Sequence, residues 1–263
     1  MRFGICASFR DILPLPAIAF DYLEENVQRF LVPEQPQAIF EALLTEARTL
    51  PIPIETANVL IPSNLPLVTT PTQRTDMVRM ERYIKTVLQR AEQVGIRVIV
   101  FGSGGARACP PGYDHLDAVQ QIGNHLATWS EWARDYGVQF VLEPLRYEET
   151  NILNTVAESG ALVTQLASSG ARLLIDTYHM ACNQEAPATI TPYLSLLAHV
   201  HVAEKQDRAA PGTHGEDLRP YFSVLRQGGY DQRISIECNW HDFPSQVNHA
   251  IAALKEQWQG SAS

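Results

Sequence analysis

Apolar residues along this chain follow two alternating rhythms. Short β-branched runs, the mark of buried strands, are followed by longer stretches whose apolar positions return every three or four residues, about one helical turn. The short runs predict strands at RFGICAS (2–8), FDYLEENV (20–27), IPIETANVLI (52–61), IRVIVFG (96–102), VQFVLEP (138–144), ARLLIDTY (171–178), HVHVAE (199–204) and RISIECNW (233–240). The longer stretches predict helices at 33–50, 77–95, 115–137, 154–170, 189–198, 217–230 and 244–259. Gly95 and Gly137 stand where a left-handed residue closes a helix. The Pro-rich stretch DILPLPAIA leaves room for only a short first helix, so the first two units are the least regular.

Strands alternating with helices imply a parallel sheet joined by right-handed crossovers. Eight such units fit one α/β domain, a closed (β/α)8 TIM barrel over 1–259, with the GSAS tail (260–263) disordered. A doubly wound open sheet is the competing architecture. It is disfavoured because no GxGxxG turn follows the first strand.

Composition narrows the partners. Of 263 residues, 29 are acidic and 20 basic, for a formal charge of -9, and no Lys/Arg cluster interrupts that balance. A nucleic-acid backbone is therefore excluded as the main partner. No apolar run approaches the roughly 18 residues of a membrane span, and the N-terminus lacks the pattern of a secretion signal. Cys6, Cys109, Cys182 and Cys238 are scattered and form no CxxC pair. They read as reduced thiols of a cytoplasmic protein.

Four consecutive strands in the C-terminal half end in a metal-competent residue: Glu143 in VLEP, Asp176 in LLIDTYH, His201 in HVHVAE and Glu237 in SIEC. In a closed barrel these ends converge on one mouth, where barrel enzymes place their chemistry. A carboxylate at the end of an apolar strand is costly unless paired or ligated. One divalent cation could compensate all four groups at once. Three carboxylates and an imidazole suit Mn²⁺, Mg²⁺, Co²⁺ or Zn²⁺ without choosing among them. Taken singly, each acid would more often be a helix cap or an ion-pair partner; four in succession is the signal. His199 and His201 share a strand face, and His201 is favoured because it lies nearer the strand's C-terminal end.

The segments EPLRYEETN, IDTYHM, HVHVAE with its following DRAAPG, and ISIE resemble the xylose isomerase-like superfamily of sugar isomerases and epimerases, above all its ketose 3-epimerase and hydroxypyruvate isomerase-like branches. The likeness runs from FDYLE through VFGSGGAR to the last strand. It implies that Glu143 and Glu237 both hold the metal and flank the substrate from opposite faces. It further implies substrate contacts from His179, three residues after Asp176, and from Glu149, six after Glu143. Arg208 resembles an arginine in the loop after the histidine strand, although that loop is one residue longer here. Arg146 stands where many relatives carry Asn. The implied reaction removes a proton beside a ketose carbonyl through a metal-stabilised enediolate, with one glutamate as base and the other as acid. Proton return to the opposite face epimerises and return to the neighbouring carbon isomerises, and the ligands fit both. The implied substrate is a small sugar or sugar phosphate, and the relatives' habit implies a homodimer or homotetramer.

Three rival readings accompany this one. A dehydratase of an inosose-like ketone would expel a hydroxyl from the same enediolate. An abasic-site endonuclease would need histidines on the early strands and a basic groove, both missing from the sequence. A catalytically silent barrel would leave four filled ligand positions unexplained. Among weaker signals, GSGGAR (102–107) could cradle a phosphate with help from Arg107, or be only a tight turn at the mouth. Glu24 and Glu55 could orient a ligand, and more simply cap a helix or join an ion pair. Trp240 is placed to wall the substrate, while Trp129, Trp132 and Trp258 fit helix faces. Cys6 and Cys238 read as small packing residues at the pocket. His115, His125, His214, His241 and His249 read as solvated.

Overall fold

In the computed structural model, which describes residues 1–261, eight strands close into one parallel barrel in the order β1 to β8. They are β1 (Arg2–Cys6), β2 (Tyr22–Asn26), β3 (Ile54–Asn58), β4 (Val98–Phe101), β5 (Gln139–Leu142), β6 (Arg172–Asp176), β7 (Leu197–Val202) and β8 (Arg233–Ile236). The ring is sealed by β1 pairing with β8, Ile5 opposite Ile236. The (β/α)8 expectation therefore holds, and the open sheet does not. No helix among the described residues is long and apolar enough to cross a membrane.

The outer helices start and stop where local chemistry favours it. After β3, α3 (Met77–Val94) begins at Asp76, whose side chain accepts the Arg79 N–H, and ends at Gly95 with φ 96°. Gly95 thus supplies the left-handed residue that a side chain would resist. After β4, α5 (His115–Ala133) is capped by Asp114, and after β5, α6 (Val156–Gln165) carries a full capping box between Thr155 and Glu158. Between β8 and the end of the described chain, α9 runs Phe243–Gly260. Ser261 makes a closing turn, its hydroxyl bonded to the Trp258 carbonyl at 2.7 Å. Gly260 and Ser261, expected in a disordered tail, are thus part of the folded chain, and residues 262–263 lie outside the described residues.

Three departures from the expected pattern have physical causes. The helix expected at 189–198 is a 3₁₀ segment, Pro187–Leu196, because Pro192 lies inside it and cannot supply the α-helical N–H. The strand expected to reach residue 178 stops at Asp176, whose carboxylate accepts the Tyr178 N–H at 2.7 Å and starts α7 (Thr177–Cys182). The first crossover is short, as its prolines require, and the second begins irregularly. After β1 comes only α1 (Phe9–Ile12), and after β2 a π-helical turn (Val27–Leu31) precedes α2 (Gln37–Ala47).

The main core lies between the barrel and its helices. A separate apolar cluster of Val98, Val100, Val141, Leu174 and Ala198 occupies the barrel side of the sheet. Period-two alternation places Glu143 on the same strand face as Val141, and Asp176 on that of Leu174. The ligand candidates thus rise directly above an apolar floor.

Candidate metal centre and sugar pocket

Strand register brings the four candidate ligands together. Asp176 on β6 sits opposite His201 on β7, the Glu237 N–H extends the ladder to the Val202 carbonyl, and the Glu143 N–H extends it to Phe101. Ligand atoms of Glu143, Asp176, His201 and Glu237 all lie within 4.8 Å of one another. Gly102 makes the space: a Cβ there would overlap the Glu143 carboxylate. Three carboxylates and one imidazole at this separation fit a single divalent cation.

His201 is fully buried and its two nitrogens face different ways. Nδ1 points into the cluster, 3.1 Å from Glu143 Oε1 and 3.3 Å from Glu237 Oε2, while Nε2 lies 2.8 Å from Glu24 Oε1. A carboxylate behind a ligating histidine fixes its ring and its tautomer. Glu24 has no oxygen to spare for a sugar. Its other oxygen receives the Thr56 and Ser235 hydroxyls, each at 2.7 Å, and lies 2.7 Å from His199 Nε2. Its expected substrate contact is thereby replaced by a supporting position beneath His201. His199 is the deeper, packed histidine, as its place on the strand foretold.

Charge is unevenly shared among the glutamates. Burial pushes Glu143 up, and neighbouring Glu237 adds to this against the pull of His201. Burial also raises Glu237, but His201 and the Arg208 guanidinium overcome it and hold that carboxyl down to about 2. For His201, burial favours the neutral ring, yet Glu24 and Glu237 outweigh it and raise the imidazole well above its ordinary value.

The residues named for substrate contact gather on the β5–β7 side, in a mesh of charges. His179 is buried, with Nε2 3.6 Å from Asp176 Oδ2 and Nδ1 accepting the Arg146 N–H at 3.4 Å. Glu149 Oε1 is bonded by Arg146 Nε at 2.9 Å and lies 3.8 Å from Arg208 Nη1. Arg208 donates to Glu237, reaches Asp176 Oδ2 at 3.4 Å and stacks over the Tyr178 ring at 4.7 Å. Its backbone and that of Asp207 are left-handed, with φ 50° and 60°. Non-glycine residues pay for such a conformation in strain, which here aims the guanidinium at the acids. The loop is anchored by buried Glu204, whose carboxylate accepts backbone N–H groups from Gly212, His214, Gly215 and Glu216.

The remaining candidates are placed as follows. Arg107 is fully buried and donates to the carbonyls of Phe101, Glu143 and Leu153, so it braces the mouth and cannot meet a phosphate. Glu55 lies at the opposite end of the barrel between Arg2 and Arg233, an ion-pair role. Trp240 packs edge-on against Phe243 with its indole N–H 3.5 Å from the Cys6 carbonyl. Two contributors escaped the sequence reading. One is Glu204; the other is Asn58, whose amide donates to Glu237 Oε1 at 2.7 Å. A polar residue ending β3 was the available signal for Asn58. On the β1–β3 side the mouth opens into a cavity of about 480 Å³, with Cys6 and Glu237 in its wall.

Comparison with known proteins agrees with this geometry. A family model described as xylose isomerase-like TIM barrel matches residues 17–257. An L-ribulose 3-epimerase from Methylomonas sp. (strain DH-1) is 32% identical over 189 residues, covering 61% of this chain and 66% of that protein. A ketose 3-epimerase from Arthrobacter globiformis is 33% identical over 108 residues, covering 40% of this chain and 36% of that one. The chain thus matches less than two-thirds of the length of either relative. In fold, a D-allulose 3-epimerase from Methylomonas sp., solved in complex with D-allulose, superposes with a TM-score of 0.79 over 98% of this chain and 97% of that one, at 20% identity.

Proposed function

Because the chain belongs to the xylose isomerase-like TIM barrel family, we propose that it is a divalent-metal-dependent ketose epimerase or isomerase, with Glu143, Asp176, His201 and Glu237 as the ligands. The observation that carries this reading is the convergence of those four donors within 4.8 Å at the mouth of the barrel. A divalent cation held there would supply the positive charge that makes a hydrogen beside a ketose carbonyl acidic enough to remove.

The chain's own groups then move the proton. Glu237, held ionised by His201 and Arg208, is the base; Glu143, whose carboxyl burial pushes up, is the acid on the opposite face. Asn58 fixes the base by donating to its Oε1. His179, Glu149 and Arg208 orient the hydroxyls on the β5–β7 side of the reacting carbon. Proton return from the face opposite to removal inverts that carbon, which makes epimerisation the favoured outcome.

Mn²⁺-loaded protein should wash solvent deuterium into the hydrogen beside the carbonyl of a ketose such as D-allulose. Glu143→Gln and Glu237→Gln should each abolish inversion. If deuterium enters as fast in both variants as in the native protein, the acid/base assignment is wrong.

A further inference from the structure

The cavity beside Glu237 is larger and differently made than the distal end of a free ketose requires. Its volume of about 480 Å³ lies above the lower end of the range for small-molecule pockets, roughly 300–1,000 Å³. The first crossover is short, with α1 only four residues long. Phe9, Arg10 and Asp11 of α1, Phe30 of the π-helical turn and Leu43 of α2 wall the space without filling it. Small side chains at Cys6 and Ala7 keep the entrance from the metal centre open. The opposite side of the mouth is closed by Arg146, Glu149 and Arg208, so any part of a substrate beyond the reacting carbons must extend toward β1–β3.

The walls offer paired donors and acceptors rather than a concentration of positive charge. Asn26 accepts the Arg29 N–H through Oδ1, which leaves its amide N–H groups to face a ligand. Asp11 and Arg29 line the same space. Arg10, the other cation there, is held by both oxygens of Glu46, with contacts of 2.6 to 3.2 Å. A phosphate needs convergent, uncommitted donors; a polyol needs donors and acceptors interspersed.

Resting on the proposed reaction, we propose that this cavity receives a second sugar unit, so that the substrate is a ketose glycosylated at its distal end rather than a free or phosphorylated monosaccharide. Asn58 stands in the cavity wall while bonded to Glu237, so filling the cavity would also steady the proton-transferring carboxylate.

Deuterium exchange with Mn²⁺-loaded protein should be compared for D-fructose, D-fructose 6-phosphate and 6-O-α-D-glucopyranosyl-D-fructose. The glucosylated ketose should exceed both others in kcat/KM by about tenfold, the effect of a few added hydrogen bonds. Arg29→Ala and Ala7→Trp, which remove a donor and fill the entrance, should each shrink that ratio about fivefold or more. Equal rates for fructose and its glucoside, a preference for the phosphate, or a ratio unmoved by both variants would overturn the proposal. Absence of exchange from every ketose would instead remove the proposed reaction. Saturation-transfer NMR would then decide the cavity by itself: contact with the glucosyl ring that is lost in Ala7→Trp supports it, and contact with the fructosyl ring alone overturns it.

Discussion

The two halves of this barrel divide the work differently. From β5 to β8 each strand ends in a candidate ligand, and the loops beyond are locked by Arg146, Glu149, Arg208 and the Glu204 anchor. From β1 to β4 no strand ends in a residue of the four-donor set. The first two crossovers there are short or irregular, and a cavity opens beside them. One half gathers the candidate metal ligands and the other leaves a cavity beside them. The division is not complete, because Glu24 on β2 and Asn58 on β3 reach across the barrel to His201 and Glu237.

The largest expected effect comes from the locked half. Asp176→Ala removes a fully buried candidate ligand, and isothermal titration with Mn²⁺ should show affinity falling about a hundredfold or more, with turnover lost alongside. Unchanged Mn²⁺ binding would break the four-ligand assignment. Glu24→Gln tests the bridge between the halves. An amide cannot satisfy His199, His201, Thr56 and Ser235 together, so His201 loses its fixed tautomer. Metal affinity should fall about 10- to 100-fold, the usual loss when a histidine ligand's carboxylate partner is removed. A fall of less than twofold would mean that β1–β4 contributes nothing to the metal centre.

A smaller effect follows from the charge on His201. Glu24 and Glu237 raise its imidazole well above the ordinary value against the opposing pull of burial, so without metal the ring carries a proton near neutrality. A cation binding through Nδ1 must displace that proton. The direction is therefore fixed: apparent affinity rises with pH, by up to about tenfold per unit for one displaced proton, until the pH passes the raised value. Titrations in buffers of different ionisation enthalpy should register the release. Affinity independent of pH between 6 and 8 would place the proton elsewhere (about two units of pH being enough to see a tenfold-per-unit slope).

How much of this was legible in the sequence depended on whether a residue's chemistry could be read from its own strand. Glu143, Asp176, His201 and Glu237 each close an apolar run, so position alone marked them. His201 was separated from His199 by depth, and the structure gives that depth a cause in Glu24 lying between and beneath both rings. Glu24 stood open between a ligand contact and the simpler ion pair, because an acid in FDYLEENV looks the same whether it faces a ligand or supports a histidine 177 residues away. Arg107 stood open for a similar reason. A glycine-rich turn with an arginine resembles a phosphate cradle until the carbonyls of Phe101, Glu143 and Leu153 are seen around the guanidinium. Several element boundaries shifted by a few residues, and two shifts trace to a single side chain, Pro192 in one helix and Asp176 at the end of β6.

The smallest effect separates the two ends of the barrel rather than its two halves. At the closed end, Glu55 is largely buried between Arg233 at 2.8 Å and Arg2. These charges cross-link β1, β3 and β8 far from the mouth, at the face where barrels invest in stability rather than chemistry. Glu55→Gln keeps the shape but leaves two guanidinium groups with a neutral partner. The half-buried Arg233 bears most of the loss, about 1–3 kcal/mol, since Arg2 can turn to solvent. Thermal unfolding should fall by a few degrees, on the order of 2–4 °C per kcal/mol for a chain of this size. Mn²⁺ affinity should stay within about twofold of native, because no bond in this cluster reaches Glu24 or His201. A fall in metal affinity larger than the fall in stability would mean that the barrel transmits strain along β3 to Asn58, and the separation of its ends would fail.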